Sequence, residues 1–153
     1  MSALPSHLEI SNLLYRYAER IDDGDYAGLA ELFADAVITQ EGTGMETRGS
    51  EDIQAMYETW TRRYVDNGTP HTRHVTTNVI FDIDEEAGTA STRSYVVVFQ
   101  RTDVLPLQPV ITNRYHDRFR RVDGAWRWEH RHMLDFYNGD LSQHLLQPFD
   151  VGS

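Results

Sequence analysis

The sequence predicts an α+β fold in which a curved antiparallel sheet wraps three helices. Three observations carry this. Apolar residues recur at helical spacing as far as Pro70, then alternate as in strands. The second half is punctuated by two hairpin signals, Glu85-Glu86-Ala87-Gly88 and Asp123-Gly124. The chain has 153 residues, 40% hydrophobic and 11% aromatic, enough to bury a core within one domain.

The first helix is predicted from Leu8, Ile10, Leu13, Leu14, Tyr17 and Ile21, with Ser6 as N-cap and Glu9 completing a capping box. Asp22-Asp23-Gly24-Asp25 breaks it, and a short helix with Tyr26, Leu29, Ala30 and Phe33 inward follows. A strand over 36–40, a turn at Gly42-Thr43-Gly44 and a return strand over 45–48 come next. Ser50 is read as the cap of a third helix, with Ile53, Met56, Tyr57, Trp60 and Tyr64 on one stripe. Asn67-Gly68-Thr69-Pro70 closes the helical half. Four strands over 72–83, 89–101, 110–122 and 125–137 then form an antiparallel meander. The helices are expected to cover one of its faces. The reading is one domain over 1–153, with its core over 6–145 and a tail over 140–153 holding one helical turn at 141–145.

Composition excludes several chemistries. There is no cysteine, which removes disulfides, zinc–thiolate sites and thiol nucleophiles. All fourteen basic side chains are Arg, so no lysine is available as a Schiff base or general base. A net formal charge of −10 disfavours nucleic-acid binding. No apolar run approaches the roughly 20 residues of a membrane span, and the N-terminus lacks a signal-peptide pattern. A cytoplasmic location is expected. No nucleotide-binding or metal-hydrolase motif occurs, so neither cofactor nor metal is expected.

Four groups carry candidate chemistry. Asp22 ends the first helix and His74 lies near the start of the first long strand. If they meet, a carboxylate accepting Nδ1–H fixes the tautomer and leaves Nε2 as a general base. Alternatively Asp22 caps the second helix and His74 is an ordinary strand residue. Arg131 offers a permanent charge to an oxyanion or leaving group. Strict alternation, however, places Trp126, Trp128, His130 and His132 on one face and Arg131 on the other. With the tryptophans inward, Arg131 needs a bulge to reach the interior; without one, His132 is the inward group. Tyr17 is either a proton donor or a core aromatic. His130 and His132, with Glu129 and His116, have partial metal-ligand spacing but no evident third ligand. His7 and His144 lie in terminal segments and carry no signal.

Several segments resemble the SnoaL-like branch of the NTF2-like, cystatin-like superfamily. They are Leu14-Tyr15-Arg16-Tyr17-Ala18 through Asp25-Tyr26, Leu32-Phe33-Ala34-Asp35-Ala36 and Arg48-Gly49. Thr72-Arg73-His74-Val75-Thr76-Thr77-Asn78, Tyr115-His116-Asp117-Arg118-Phe119 and Asp123-Gly124-Ala125-Trp126 continue the likeness, which covers residues 8–145. It implies a cone-shaped barrel, a strongly curved mixed or antiparallel sheet around three N-terminal helices. Within the branch the chain looks most like scytalone dehydratase, hexachlorocyclohexane dehydrochlorinase and bile-acid 7α-dehydratase. That resemblance implies an Asp22–His74 working pair, a catalytic Tyr17 and an Arg131 lining the site. The substrate-fixing groups of those enzymes do not carry over: the corresponding region here reads Ser94 or Tyr95, then Asn113 and Tyr115.

The expectation is a cofactor-independent lyase of dehydratase type, or an isomerase, acting on a hydrophobic small molecule. His132, Tyr115, Asn113, Trp60, Phe119 and Leu32 are expected to bind it. A non-catalytic binding or accessory protein of the same fold and a β-type subunit of a ring-hydroxylating dioxygenase are the alternatives. A homo-oligomer, dimer or trimer, is expected, with Val96, Val98, Phe99 and Trp128 on an apolar outer face.

Overall fold

The computed structural model describes residues 4–148; residues 1–3, and with 149–153 the end of the expected tail, lie outside the described residues. Helix α1 spans Ser6–Asp22 and buries Ile10, Leu14, Tyr17, Ala18 and Ile21, a stripe three and four residues apart. The expected Ser6 cap does not form. Pro5 holds the N-cap position, and its carbonyl accepts from the amides of Leu8 and Glu9 at 2.9 and 3.1 Å. Ser6 therefore lies inside the first turn, and its hydroxyl accepts from Arg121 at 3.0 Å instead.

Helix α2 spans Tyr26–Glu31 and is capped by Asp25, whose Oδ1 accepts from the Gly28 amide at 2.8 Å. Asp22 is therefore not the cap of α2. The turn between the helices depends on Gly24, with φ +72°; a Cβ there would lie 2.2 Å from the Gly68 carbonyl oxygen. Helix α3 spans Gly49–Trp60. Ser50 does not cap it, because the preceding strand runs straight into the helix and leaves Ser50 inside its first turn. The helix also stops before Tyr64, which lies in the loop that follows.

The six strands are β1 Val37–Gln40, β2 Glu46–Arg48, β3 Thr72–Asp84, β4 Thr89–Gln100, β5 Gln108–Val122 and β6 Ala125–Asn138. They form one curved sheet in the order β2-β1-β6-β5-β4-β3. Strand β1 pairs with β6 in parallel and the other pairings are antiparallel, so the sheet is mixed. It is open, with β2 and β3 as its two edges. Asp123 and Gly124 both take positive φ, 50° and 80°, the tight two-residue hairpin that their sequence demands.

Helix α1 packs on β3, and α2 packs on α3. The core between helices and sheet includes Phe33, Ile38, Ile53, Val96, Phe119 and Trp128. This corrects the expected outer contact face. Val96, Val98 and Trp128 are buried inside, because their parity is the one that faces the helices; Phe99, of the opposite parity, lies half-buried on the other face. Among the described residues no helix is long and apolar enough to cross a membrane.

Candidate active site

Packing α1 on β3 brings Asp22 to the beginning of β3. Its carboxylate makes three contacts there. Oδ1 accepts from the Thr72 hydroxyl at 2.8 Å and lies 2.7 Å from His74 Nδ1; Oδ2 accepts from the His74 amide at 2.8 Å. Thr72 and His74 alternate onto the same inner face, so one carboxylate meets both. The side chains of Asp22 and His74 are only 10% and 5% exposed. An ionised carboxylate only accepts, so Nδ1 carries the proton and Nε2 holds the lone pair.

Beside this pair lies an aromatic cluster built on Tyr17. The Tyr17 and Tyr57 hydroxyls are 2.6 Å apart. The Tyr17 ring meets the rings of His74, Tyr115, Phe33 and Trp128 edge-on, with centroids 5.9 to 6.4 Å away. Burial pushes the Tyr57 and Tyr115 hydroxyls well above their usual range, and the neighbouring Tyr17 adds to this. Both stay protonated as neutral donors.

Arg131 fills the centre of the cluster and is fully buried. Its Cζ lies 3.7 Å from the centroid of the Tyr115 ring and 4.3 Å from that of Tyr17. Asp117 grips it in two places: Nε donates to Oδ1 at 2.8 Å and Nη2 to Oδ2 at 2.9 Å. Trp128 Nε1 also donates to Asp117, at 3.1 Å. Burial works against the Arg131 charge, and Asp117 more than offsets it. The third nitrogen, Nη1, has no hydrogen-bond partner.

A bulge is what turns Arg131 inward. Phe119 pairs with Trp128 but Arg118 pairs with His130, so Glu129 is an extra residue and the parity of β6 shifts by one. Trp128 and Arg131 both face the core. His130 and His132 point to the other face, where His130 Nε2 and His132 Nδ1 each lie 2.7 Å from the Thr39 hydroxyl. His132 is thus separated from the Asp22–His74 pair by the sheet, contrary to its expected place in the pocket. His130 titrates below its usual range through burial, then through the charges of Arg118 and His132. Among the described residues no three His or acidic side chains gather as metal ligands.

A largely apolar cavity of about 530 Å³ opens beside the cluster. Met45, Met56, Trp60, Met133, Phe136 and Leu141 supply apolar walls, and Gln40, Thr61, Asn138 and Tyr57 contribute polar groups. This volume suits a small organic ligand. Trp60 lines it. Asp22, His74, Tyr17 and Arg131 do not; Tyr57 joins the cavity to them through its hydrogen bond with Tyr17. Phe119 packs on Trp128 in the core, with ring centroids 5.2 Å apart. Leu32 faces a separate small groove near Trp126, away from the cavity. Tyr115 and Asn113 are buried on the inner face, where Asn113 Nδ2 donates to the Arg114 carbonyl at 3.1 Å.

Three residues were not legible as site members. Tyr57 stood only on an apolar stripe. Asp117 shares its parity with Tyr115 and Phe119, and a carboxylate on that apolar face is the signal that could have exposed it. His144 had no local signal. The chain returns to α3 after β6, with the Thr61–Leu145 bridge and the Arg62 amide donating to the His144 carbonyl at 2.9 Å. This buries His144 and leaves its Nδ1 without a partner. Burial first, and the nearby His74 second, push its imidazole down to about 4.

Comparison with known proteins gives the following. The profile of a SnoaL-like domain matches residues 2–132. No curated protein matches the sequence. Among solved structures, a protein of unknown function from Mycobacterium tuberculosis, Rv3472, is 26% identical with a TM-score of 0.66, over 83% of this chain and 69% of that one. An NTF2-like protein with a cystatin-like fold from Novosphingobium aromaticivorans is 22% identical, TM-score 0.67, over 83% and 79%. A provisionally assigned scytalone dehydratase from the same organism is 22% identical, TM-score 0.65, over 88% and 87%.

Proposed function

We propose that this chain, which belongs to the SnoaL-like family, is a cofactor-independent lyase of dehydratase type, or an isomerase, that takes a carbon-bound proton from an apolar small molecule. The observation that carries the reading is the fixed carboxylate of Asp22 on His74 Nδ1. His74 Nε2 accepts the proton as the C–H bond breaks, and Asp22 offsets the charge that the imidazole gains. The electron pair either expels a hydroxyl, which leaves as water after protonation, or rests on an enolate oxygen until another carbon is protonated. The unpartnered Arg131 Nη1 supplies a donor to that oxygen, and Tyr17 supplies a second when Tyr57 is the donor of the bond between their hydroxyls, in a site shielded from water.

A second reading, a non-catalytic binding protein of the same fold, rests on one observation: His74 does not border the cavity. For catalysis, the ligand must pass from the cavity to Nε2, which lies outside its lining.

Proton exchange tests the two readings without knowledge of the natural substrate. 2-Tetralone, a bicyclic ketone with acidic C–H bonds, is incubated with the protein in D2O and followed by 1H NMR. The lyase reading expects exchange well above buffer, falling about a hundredfold in His74→Gln and in Asp22→Asn. Saturable binding of 2-tetralone with exchange no faster than buffer would leave the binding protein standing.

A further inference from the structure

The cavity's polar groups are few, and two of them have unused hydrogen-bonding capacity. Gln40 lines the cavity from β1, and its Nε2 is a buried donor with no partner. Such a group costs stability until an acceptor reaches it. Tyr57 lines the same cavity from α3, and its hydroxyl meets the Tyr17 hydroxyl at 2.6 Å. Two hydroxyls carry two protons, and the bond between them uses one. If Tyr17 donates to Tyr57, the Tyr57 proton is left for a third group. The positive Arg131 beside the Tyr17 ring favours negative charge on an oxygen at the end of that chain. The remaining wall is made chiefly of Met, Leu and aromatic side chains, which suits a compact ring system rather than a charged molecule.

We propose that the cavity takes an apolar ring compound bearing an oxygen acceptor, and that the Tyr57 hydroxyl is the donor that reads this oxygen, with the Gln40 amide as a second donor. The inference rests on the reading of the cavity as a ligand site, and it assigns to Tyr57 a contact with the bound molecule. Tyr57 would then be the polar link between the cavity and Tyr17. Hydrocarbons of the same shape gain the apolar contacts but leave both donors unanswered.

The test compares 2-tetralone with tetralin, the same skeleton without the carbonyl, by calorimetric titration. The wild-type protein is expected to prefer the ketone about tenfold. Tyr57→Phe, which removes only the hydroxyl, should lose about fivefold of that preference while tetralin affinity stays within about twofold. Gln40→Met should show a smaller loss of the same kind. The side-chain amide resonances of Gln40 should shift with 2-tetralone and not with tetralin, a readout on the wild-type protein that survives any folding defect in the variants. An undiminished preference in Tyr57→Phe overturns the proposal, as does the absence of saturable binding of either compound. Exchange activity at His74 is read separately. Preference without exchange retires the lyase reading alone, and exchange with unaltered preference retires the Tyr57 assignment alone.

Discussion

The two faces of the sheet each hold imidazoles at 2.7 Å from an oxygen, with opposite chemical consequences. On the inner face His74 Nδ1 meets a carboxylate, Asp22. On the outer face His130 Nε2 and His132 Nδ1 share one hydroxyl, Thr39. A carboxylate only accepts, so it fixes the tautomer and supplies a counter-charge when the ring takes a proton. A hydroxyl both donates and accepts, so it joins the two rings and offers no counter-charge for proton transfer. Burial and the Arg118 charge keep His130 neutral as well. Equal distances therefore do not make equal sites; what decides is whether the partner carries charge.

If charge is the deciding difference, removing an inner carboxylate should cost far more than removing the outer hydroxyl. The largest effect is expected at Asp117. Asp117→Ala leaves the Arg131 guanidinium buried without its counter-charge and should lower unfolding free energy by about 3–5 kcal/mol in urea titrations. A loss below about 1 kcal/mol would mean that the tyrosine rings alone can carry the charge.

The next effect concerns His144, the inner imidazole with no hydrogen-bond partner on Nδ1. Its folded pKa is depressed from 6.5 to about 4, so between those values the unfolded chain binds the extra proton and the folded one does not. The stability it contributes is fully present above pH 6.5 and declines as pH falls towards 4. The sum is about 3 kcal/mol. His144→Gln should flatten that part of the urea-midpoint profile between pH 7 and 4. A profile parallel to wild type would show that His144 stays solvated.

The smallest effect is expected on the outer face. Thr39→Val should cost about 0.5–1.5 kcal/mol and leave proton exchange of 2-tetralone unchanged. A large loss of exchange in this variant would break the contrast between the faces.

The elements themselves were legible where spacing is local. The stripe of α1, the break at Asp22–Asp25, the four long strands and the Asp123-Gly124 hairpin follow from periodicity and turn chemistry. The caps at Ser6 and Ser50 were misread because backbone geometry beside them, a preceding proline and a preceding strand, had already fixed the helix starts. The outward placement of Val96, Val98 and Trp128 failed because alternation gives two faces without saying which one the helices cover.

The sequence by itself determined the α+β class, the helix-then-meander order, the absence of thiol and lysine chemistry, and the residues from which a proton-transfer pair can be drawn. These depend on composition and on neighbours a few positions apart. Tertiary structure decided the rest. It set Asp22 against His74 across 52 positions, turned Arg131 rather than His132 inward through one extra residue at Glu129, and folded His144 back towards both. Such contacts join segments far apart in the chain, and they depend on how α1 packs on the sheet and on the bulge that sets which β6 side chains face it.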